Sequence, residues 1–420
     1  MKKETICVHG GYNPKSGEPR VLPIVQSTTY SYKDPEYLAD LFDLKQEGHM
    51  YSRISNPTIS ALEEKVSQLE GGVGALAVAS GQSATLIAIL NICKSGDHIL
   101  ASSNLYGGTI TLLSVTLKKF GISISFIDQD SSLEELIKHV RPETKAIFAE
   151  TISNPSPKVL DLEKFSLFAK EVDLPLIIDN TFPTPFLCNP FEYGANIVVH
   201  SATKYLDGHA TSIGGIIVDG GNYNWDNGKF KELTEPDLSY HGIRYVKEFQ
   251  ERAYITKARV QLLRDLGNCL SPLNAFLINL GIETLHLRMA RHSENALTLA
   301  KYLELHPKVS WVNYPKLESN ESYKLAEKYL PLGASGILAF GIKGGRKAAE
   351  EFLKNIQLTG LVVHLGEVRT SVLHPATTTH RQLSDEELRL AGIGEDMIRV
   401  SVGIENIEDI LEDFELALRR

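Results

Sequence analysis

Apolar and polar positions alternate in blocks over about residues 60 to 220, where short apolar runs are separated by longer segments of helical spacing. Short, β-rich apolar runs are typical of strands that are buried on both faces of a parallel sheet. The alternation therefore predicts an α/β fold with a doubly wound, mostly parallel sheet of seven strands. The predicted strands are residues 75–79, 97–101, 123–127, 145–150, 174–179, 196–200 and 213–218, and the predicted helices are 82–93, 107–119, 131–140 and 161–171.

The pattern changes on both sides of this block. Residues 1–60 are irregular, so we expect an arm that contacts a neighbouring subunit. Residues 61–255 would form the large domain, in which the polar and aromatic stretch 221–255 predicts a long loop insertion. Residues 256–420 would form a helical connection, with a kink or helix start at Pro272, and a smaller C-terminal α/β domain. Its predicted strands are 309–313, 336–341, 361–364 and 397–402, and its predicted helices are 320–329, 345–355 and 406–419.

The composition is ordinary for a globular protein and argues against several classes of function. The net charge of −9 disfavours a general nucleic-acid binder, and no apolar run is long enough to span a membrane. No apolar h-region follows Met1–Thr5, and the four cysteines are widely spaced, so we expect a cytoplasmic protein with reduced thiols. We expect no metal site, and we interpret the stretch from His374 to His380 as a loop that lines a pocket.

Two predicted strands end in residues that can hold an aldehyde cofactor. Small polar residues follow the run 197–200, and Lys204 comes next, at the sheet edge where open α/β sheets bind ligands. A partly desolvated lysine can have a lowered pKa and react with a carbonyl compound. The preceding strand ends in Asp179, and the segment Ala75–Ala84 passes from a strand through Ser-Gly into a helix, as phosphate sites do. Pyridoxal phosphate needs a lysine, a carboxylate and a phosphate cradle of this kind.

Further motifs accompany these segments in a fixed order. They are Tyr51-Ser-Arg53-Ile-Ser-Asn56-Pro57-Thr58, Ser80-Gly81-Gln82-Ser83-Ala84, Asn104-Leu-Tyr106-Gly-Gly-Thr109, Glu150-Thr-Ile-Ser-Asn154-Pro155, Asp179-Asn180-Thr181, Ser201-Ala-Thr203-Lys204-Tyr205 and Arg399-Val-Ser401-Val-Gly403. Over nearly the whole chain this set resembles the Cys/Met-metabolism family of pyridoxal-phosphate enzymes. Any one motif alone would be weak, whereas the ordered set is highly specific. The resemblance implies the PLP-dependent transferase fold of type I and a homo-oligomer, a tetramer built from active dimers.

The resemblance also implies a role for each motif residue. Lys204 would bind the cofactor covalently, Asp179 would pair with its pyridine nitrogen, and Tyr106 would stack on its ring. Asn154 would hydrogen-bond near the ring hydroxyl and line the substrate site, and Arg399 would clamp the substrate α-carboxylate. The cofactor phosphate would be held by Gly81, Gln82, Ser201 and Thr203, with Tyr51 and Arg53 reaching it from a neighbouring subunit.

Within the family the chain looks most like the sulfhydrylases. Methionine γ-lyases carry a cysteine two positions after the stacking tyrosine, where this chain has Gly108, and the insertion ending at Leu233–Gly242 looks like that of the sulfhydrylases. The resemblance then implies γ-replacement on O-acetyl-L-homoserine by sulfide or methanethiol, which gives homocysteine or methionine plus acetate. Glu367 and His364 depart from the family pattern and put the fine substrate contacts in doubt.

The implied mechanism is proton transfer by the chain's own side chains. Lys204 would take the substrate α-proton as a general base, and Tyr51 and Tyr106 would assist proton transfer around the leaving group.

Other interpretations remain open from the sequence. On the same scaffold the chain could be a methionine γ-lyase or a cystathionine γ-synthase or lyase. The stretch Ser201–Lys204 also matches the SxxK motif of serine acyl-enzymes, but no later KTG element accompanies it. A non-catalytic protein on the same fold is disfavoured because Lys204, Asp179, Tyr106 and Arg399 are all present. The acyl leaving group, the sulfur donor and the choice between dimer and tetramer are not fixed by one sequence.

Overall fold

The computed structural model describes residues 1–379, 381 and 393–419. Its large sheet has the seven strands predicted, and each begins within two residues of its predicted start. The strands are β1 (Gly74–Val78), β2 (His98–Ser102), β3 (Ser123–Ile127), β4 (Thr144–Glu150), β5 (Leu176–Asp179), β6 (Ile197–His200) and β7 (Gly215–Asp219).

The strand order places the carboxyl ends of the central strands side by side. The order is β1-β7-β6-β5-β4-β2-β3, and only β7 runs antiparallel to its neighbours. A hydrophobic core lies on each face of the sheet. Successive side chains of a strand point to opposite faces, so Ile177 is buried in one core and Ile178 in the other. The mostly parallel, doubly covered sheet predicted from the sequence is therefore confirmed.

Helices cover both faces of the large sheet and continue into the second part of the chain. They are α1 (Lys3–His9), α2 (Pro35–Phe42), α3 (Pro57–Glu70), α4 (Gly81–Leu90), α5 (Gly107–Thr111), α6 (Leu117–Lys119), α7 (Leu133–Ile137), α8 (Leu162–Glu171), α9 (Thr184–Leu187), α10 (Lys231–Thr234), α11 (Tyr245–Phe249), α12 (Ala253–Lys257), α13 (Arg264–Leu266), α14 (Pro272–Glu283), α15 (Leu285–Leu305), α16 (Tyr323–Tyr329), α17 (Gly345–Asn355) and α18 (Ile407–Arg419). Segments of π-helix lie at Leu112–Thr116 and Ala258–Leu263, and 3₁₀ turns lie at Pro190–Tyr193, Leu238–Tyr240, Gln250–Arg252 and Pro375–Thr377.

The second, smaller sheet has five strands in the order β10-β11-β12-β9-β8. Helices α17 and α18 pack on it through an aromatic cluster, in which the rings of Phe340 and Phe352 lie 5.7 Å apart and those of Phe352 and Phe414 lie 5.4 Å apart. Such pairs stabilise the packing beyond their buried area by about 1 kcal/mol each. The strands are β8 (Val309–Asn313), β9 (Ile337–Ile342), β10 (Gly360–Leu361), β11 (Ser371–Leu373) and β12 (Met397–Ser401).

Three local expectations need correction. The stretch 221–255 is not a plain loop, because it forms α10, α11 and two 3₁₀ turns whose side chains Leu233 and Tyr245 are fully buried. The arm is not irregular throughout either, since α1 and α2 lie within it and Cys7 of α1 is buried in the core of its own chain. Strand β11 was missed, whereas the helix start at Pro272 is confirmed. The predicted domain boundaries stay predictions.

Candidate active site

The carboxyl ends of β4, β5 and β6 and the N-terminus of α4 surround one cavity of about 290 Å³. This volume is close to that of small-ligand sites in proteins, and it lies at the sheet edge where α/β folds bind ligands. The lining brings together nine of the eleven residues singled out from the sequence, namely Gly81, Gln82, Tyr106, Asn154, Asp179, Ser201, Thr203, Lys204 and Arg399.

Lys204 lies in the turn that follows β6, and its side chain reaches into the cavity. Burial, aided by the positive charge of Arg399, lowers the pKa of the Lys204 amine to about 8. Its Nζ lies 3.5 Å from Nδ1 of His364. The backbone of Gly366 packs beside the Lys204 stem, since a Cβ at position 366 would lie 3.2 Å from Cβ of Lys204. The amine is therefore poised to act as a nucleophile or base near neutral pH.

Asp179 ends β5 and is tied to the Lys204 turn through one threonine. Its Oδ1 accepts hydrogen bonds from the backbone N–H of Thr181 at 2.9 Å and from the Thr181 hydroxyl at 2.5 Å. The Thr181 Oγ1 in turn accepts the N–H of Ser201 at 2.8 Å. Burial raises the pKa of Asp179, and the two Thr181 hydrogen bonds oppose that shift because they favour the carboxylate. A bound cation or protonated ring nitrogen would stabilise the charged form further.

The N-terminus of α4 closes one end of the cavity. Ser80 caps the helix, its Oγ accepting the N–H of Ser83 at 3.1 Å. Gly81 has no room for a side chain, because a Cβ there would lie 2.6 Å from Cβ of Ser201. The backbone N–H groups of the first turn and the Ser201 hydroxyl thus share a small space that suits an anion. Thr203 lines the same space, but its hydroxyl donates to the carbonyl of Gly214 at 3.1 Å.

Tyr106 stands at the start of α5, and 47% of its surface is exposed at the cavity mouth. Its backbone N–H donates to Oε1 of Glu150 at 2.7 Å. Gly108 lies directly beside its ring. An aromatic ring held at the mouth of a cavity with a lysine inside offers a stacking surface for a flat ligand.

Arg399 enters the cavity from the other sheet, on β12. Its Nη1 donates to Oδ1 of Asn154 at 3.2 Å, so a residue of the small sheet touches the loop after β4. Burial lowers the pKa of Arg399 to about 10, and Tyr106 and Tyr205 oppose the shift. A guanidinium held in a partly dry cavity with open donors suits a carboxylate in a bidentate arrangement.

Tyr51 and Arg53 do not line this cavity within one chain. Tyr51 is 41% exposed, and the Arg53 guanidinium lies 5.3 Å from the centre of its ring. Nη1 of Arg53 also donates to the carbonyl of Arg264. These two residues therefore face outwards from their own chain, and the structure does not bring them to the cavity of the same chain.

Sequence reasoning missed three residues that the site uses. Glu150 and Thr181 line the cavity and hold Tyr106 and Asp179 in place, and both stood in quoted motifs without a role. The signal for both was their position at the carboxyl end of a predicted strand. The imidazole of His364 lies beside Lys204, and its Nε2 is buried with no hydrogen-bond partner among the residues that the structure describes. Burial lowers the pKa of His364, and the Lys204 charge acts in the same direction.

A larger and more open cleft of about 730 Å³ runs between α15 and residues 314–333. It holds none of the motif residues, so we place the candidate site in the smaller cavity. In the described ranges no group of histidine, cysteine or acidic side chains is arranged to hold a metal ion. The ring nitrogens of His374 are paired with Thr377 and the carbonyl of Glu395, and His380 lies outside the described residues. Over the same ranges, no helix has the length and apolar character needed to span a membrane.

The fold and the site together define a class of protein. A lysine, a buried carboxylate and a glycine-tight helix N-terminus around one cavity are the donor set for pyridoxal phosphate, which supplies an electron sink when it is bound. The chain belongs to the Cys/Met metabolism PLP-dependent enzyme family, whose model matches residues 4–419.

Named relatives cover the chain from end to end. It is 50% identical to the O-acetyl-L-homoserine sulfhydrylase of Leptospira meyeri, over 100% of this chain and 97% of that protein. It is 43% identical to the homocysteine/cysteine synthase of Saccharomyces cerevisiae, over 98% of this chain and 96% of that protein. A crystal structure of a Campylobacter jejuni protein assigned as an O-acetylhomoserine (thiol)-lyase, with N'-pyridoxyl-lysine-5'-monophosphate in its chain, superposes with a TM-score of 0.96 at 40% identity and covers 100% of both chains.

Proposed function

We propose that this chain is an O-acetylhomoserine sulfhydrylase. It replaces the acetate of O-acetyl-L-homoserine by sulfide or methanethiol: the C–O bond at the γ-carbon breaks first and releases acetate, and a C–S bond then forms at the same carbon, giving homocysteine or methionine. The observation that carries the proposal is the meeting of Lys204, Asp179 and Arg399 in one cavity. Relatives between 42% and 50% identical carry the names sulfhydrylase and homocysteine synthase, which supports this choice within the family.

We assign the cofactor-holding roles to residues at the sheet edge. Pyridoxal phosphate, when bound, withdraws electrons from the substrate and so acidifies its Cα–H and Cβ–H bonds. Asp179 would keep the ring nitrogen protonated. The α4 N-terminus at Gly81 and Gln82 would hold the phosphate with Ser201, and Asn154 would hydrogen-bond near the ring hydroxyl. For Thr203 we propose a positioning role, because its hydroxyl already bonds Gly214.

We assign the substrate roles to the two cations of the cavity and to Tyr106. Arg399 would bind the α-carboxylate, which orients Cα towards Lys204. Lys204 Nζ, with its lowered pKa, would take the α-proton and later move a proton at Cβ. Tyr106, at the mouth, would stack on the ring and, together with Tyr51, assist proton transfer at the leaving group. This order of steps leaves the γ-carbon open to the sulfur nucleophile.

We propose that the working form is a homo-oligomer, a tetramer of active dimers, located in the cytoplasm. The rim of the cavity supports an interface there, since Ile213 and Val363 line it and are 60% and 69% exposed within one chain. Tyr51 and Arg53 face outwards, and Arg53 would exchange its bond to the carbonyl of Arg264 for a neighbour's phosphate site. The cysteines, all unpaired, are in keeping with a reducing compartment.

The experiment is an absorbance spectrum of the purified protein, followed by addition of O-acetyl-L-homoserine with and without sulfide. We expect the visible band of a lysine-bound pyridoxal, absent in Lys204→Ala, and homocysteine that forms only when sulfide is present. A colourless protein would overturn the cofactor assignment. Release of 2-oxobutyrate and ammonia without sulfide would favour the methionine γ-lyase alternative, and cystathionine formed with cysteine would favour a cystathionine γ-synthase.

A further inference from the structure

Two acidic residues stand next to each other at the floor of the cavity. Glu150 ends β4 and Asp179 ends β5, and they are register partners in the parallel pair of strands. Their side chains therefore point to the same face of the sheet, and both line the cavity. Glu150 is buried and Asp179 is partly buried, and two such carboxylates in neighbouring register positions repel each other unless one of them carries a proton.

The hydrogen bonds around the pair distinguish its members. Asp179 receives two donors from Thr181, one of them a hydroxyl at 2.5 Å, and these stabilise its negative charge. Glu150 is approached by two backbone N–H groups, that of Tyr106 at 2.7 Å from Oε1 and that of Asn154, and the carbonyl oxygen of a neutral carboxylic acid also accepts bonds of this kind.

The burial of Glu150 and the charge beside it also favour its protonated form. Burial, reinforced by the charge of Asp179, raises the pKa of Glu150 well above its usual range, and the backbone N–H groups of Tyr106 and Asn154 only partly oppose this.

We propose that Glu150 is a positioning residue that stays protonated beside Asp179, holds the backbone of Tyr106 and leaves Asp179 as the single negative charge of the cavity floor. The inference deepens the proposed function, on which its link to the cofactor rests. A neutral Glu150 still accepts the backbone N–H of Tyr106 and so holds the start of α5 against the cavity floor. Its neutrality has a consequence for Asp179, whose full charge is then available to a protonated ring nitrogen.

The test compares Glu150→Gln, a neutral side chain of the same shape, with Glu150→Ala. Infrared spectra of the holoenzyme at neutral pH should show a protonated-carboxylic-acid band that Glu150→Gln removes. Cofactor affinity, measured by titrating cofactor-free protein with pyridoxal phosphate, should change by less than about twofold in Glu150→Gln, because the amide oxygen still accepts the Tyr106 N–H. In Glu150→Ala, which removes that acceptor, it should weaken by about tenfold.

The matched control is Glu143→Gln, an exposed glutamate just before the same strand, which should leave both the band and the affinity unchanged. The proposal would be overturned if the infrared spectrum of Glu150→Gln kept the carboxylic-acid band of the parent. It would also be overturned if Glu150→Gln bound pyridoxal phosphate as weakly as Glu150→Ala does. Infrared spectra of cofactor-free protein report on Glu150 even if the chain binds no pyridoxal phosphate. Failure of this inference and failure of the proposed function are therefore distinguishable.

Discussion

Gly108 sets the position of an aromatic ring by having no side chain. A Cβ at position 108 would lie 2.5 Å from Cε1 of Tyr106 and 3.1 Å from Nε2 of Gln82. Real Cβ contacts are not this short, so any other residue must push the Tyr106 ring aside. The absence of a side chain at Gly108 therefore allows the position of the Tyr106 ring at the cavity mouth, and a cysteine at position 108 would require a different ring position.

We expect Gly108→Ala and Gly108→Cys to lower kcat/KM for O-acetyl-L-homoserine by about tenfold, because overpacking that displaces a contact typically costs 1–3 kcal/mol. Steady-state kinetics with sulfide measure this. Thr111→Ala, on the exposed side of the same short helix, is the control and should match the parent. Full activity in both Gly108 variants would show that the Tyr106 ring position is not critical.

The Lys204 amine offers a pH-dependent prediction at the same scale. Its pKa is lowered to about 8 by burial first and by the Arg399 charge second. Loss of a neighbouring positive charge favours the protonated amine, so Arg399→Gln should raise the Lys204 pKa, whereas Arg399→Lys should largely preserve it. The rate of acylation of Lys204 in cofactor-free protein, followed against pH by mass spectrometry, gives the pKa. A Lys204 pKa that falls or stays the same in Arg399→Gln would contradict the electrostatic coupling.

Among the elements, helix α4 connects stability to phosphate binding through its cap. Ser80 satisfies one N–H of the first helical turn and also lines the cavity. Ser132 caps α7 in the same way, its Oγ accepting the N–H of Glu135 at 3.3 Å, but it does not line the cavity. Comparing substitutions of the two serines therefore distinguishes the effect of an N-cap on stability from its effect on anion binding.

Ser80→Ala and Ser132→Ala should each lower the free energy of unfolding by about 1 kcal/mol, the usual effect of losing an N-cap. Only Ser80→Ala should also weaken pyridoxal phosphate binding, by about threefold, because the first turn of α4 would face the phosphate in the binding mode that we propose. Urea unfolding and cofactor titration give the two quantities. Equal loss of cofactor affinity in both variants would mean that α4 has no special part in binding.

Sequence patterns predicted the strands of the large sheet well. Strands β1 and β4 are buried along nearly their whole length, so their apolar runs were visible without any tertiary information. In the stretch 221–255 the buried side chains are aromatic and far apart, such as Trp225 and Tyr245, and their packing on α12 is not visible as a period. Strand β11 has three residues, too few for a pattern.

The candidate site was predictable to the extent that its residues stand in motifs at strand ends. The contacts between motifs were not predictable, because they depend on register. The pairing of Glu150 with Asp179 and the bond of Arg399 to Asn154 join segments far apart in the chain. His364 beside Lys204 was visible only as a departure from the family pattern.

At the scale of the whole molecule, the outward-facing Tyr51 and Arg53 predict that one chain completes its neighbour's site. Arg53→Ala and Lys204→Ala would each be inactive alone, for different reasons. In a mixed oligomer one site of each hybrid dimer would have both residues intact. Active sites shared between subunits have this signature in symmetric dimers.

Refolding or co-expressing equal amounts of Arg53→Ala and Lys204→Ala should restore about a quarter of the parent activity, since about half of randomly paired dimers are hybrids with one intact site of two. The sulfide-dependent assay measures the recovery. Mixing Arg53→Ala with itself is the control and should recover nothing. No recovery from hybrids that are shown to form would mean that Arg53 acts within its own chain.

Arg399 lies on the last strand of the chain, whereas Lys204 and Asp179 lie near its middle. A ribosome therefore releases the reactive amine and its carboxylate well before the guanidinium, and domains tend to fold in the order of synthesis. If the roles that we propose hold, the partly synthesised protein has its cofactor-binding residues before β12 joins the small sheet, but it lacks the guanidinium that binds the carboxylate of the amino-acid substrate. The order of synthesis thus makes the reactive residues Lys204 and Asp179 earlier than Arg399, the residue proposed to select the substrate.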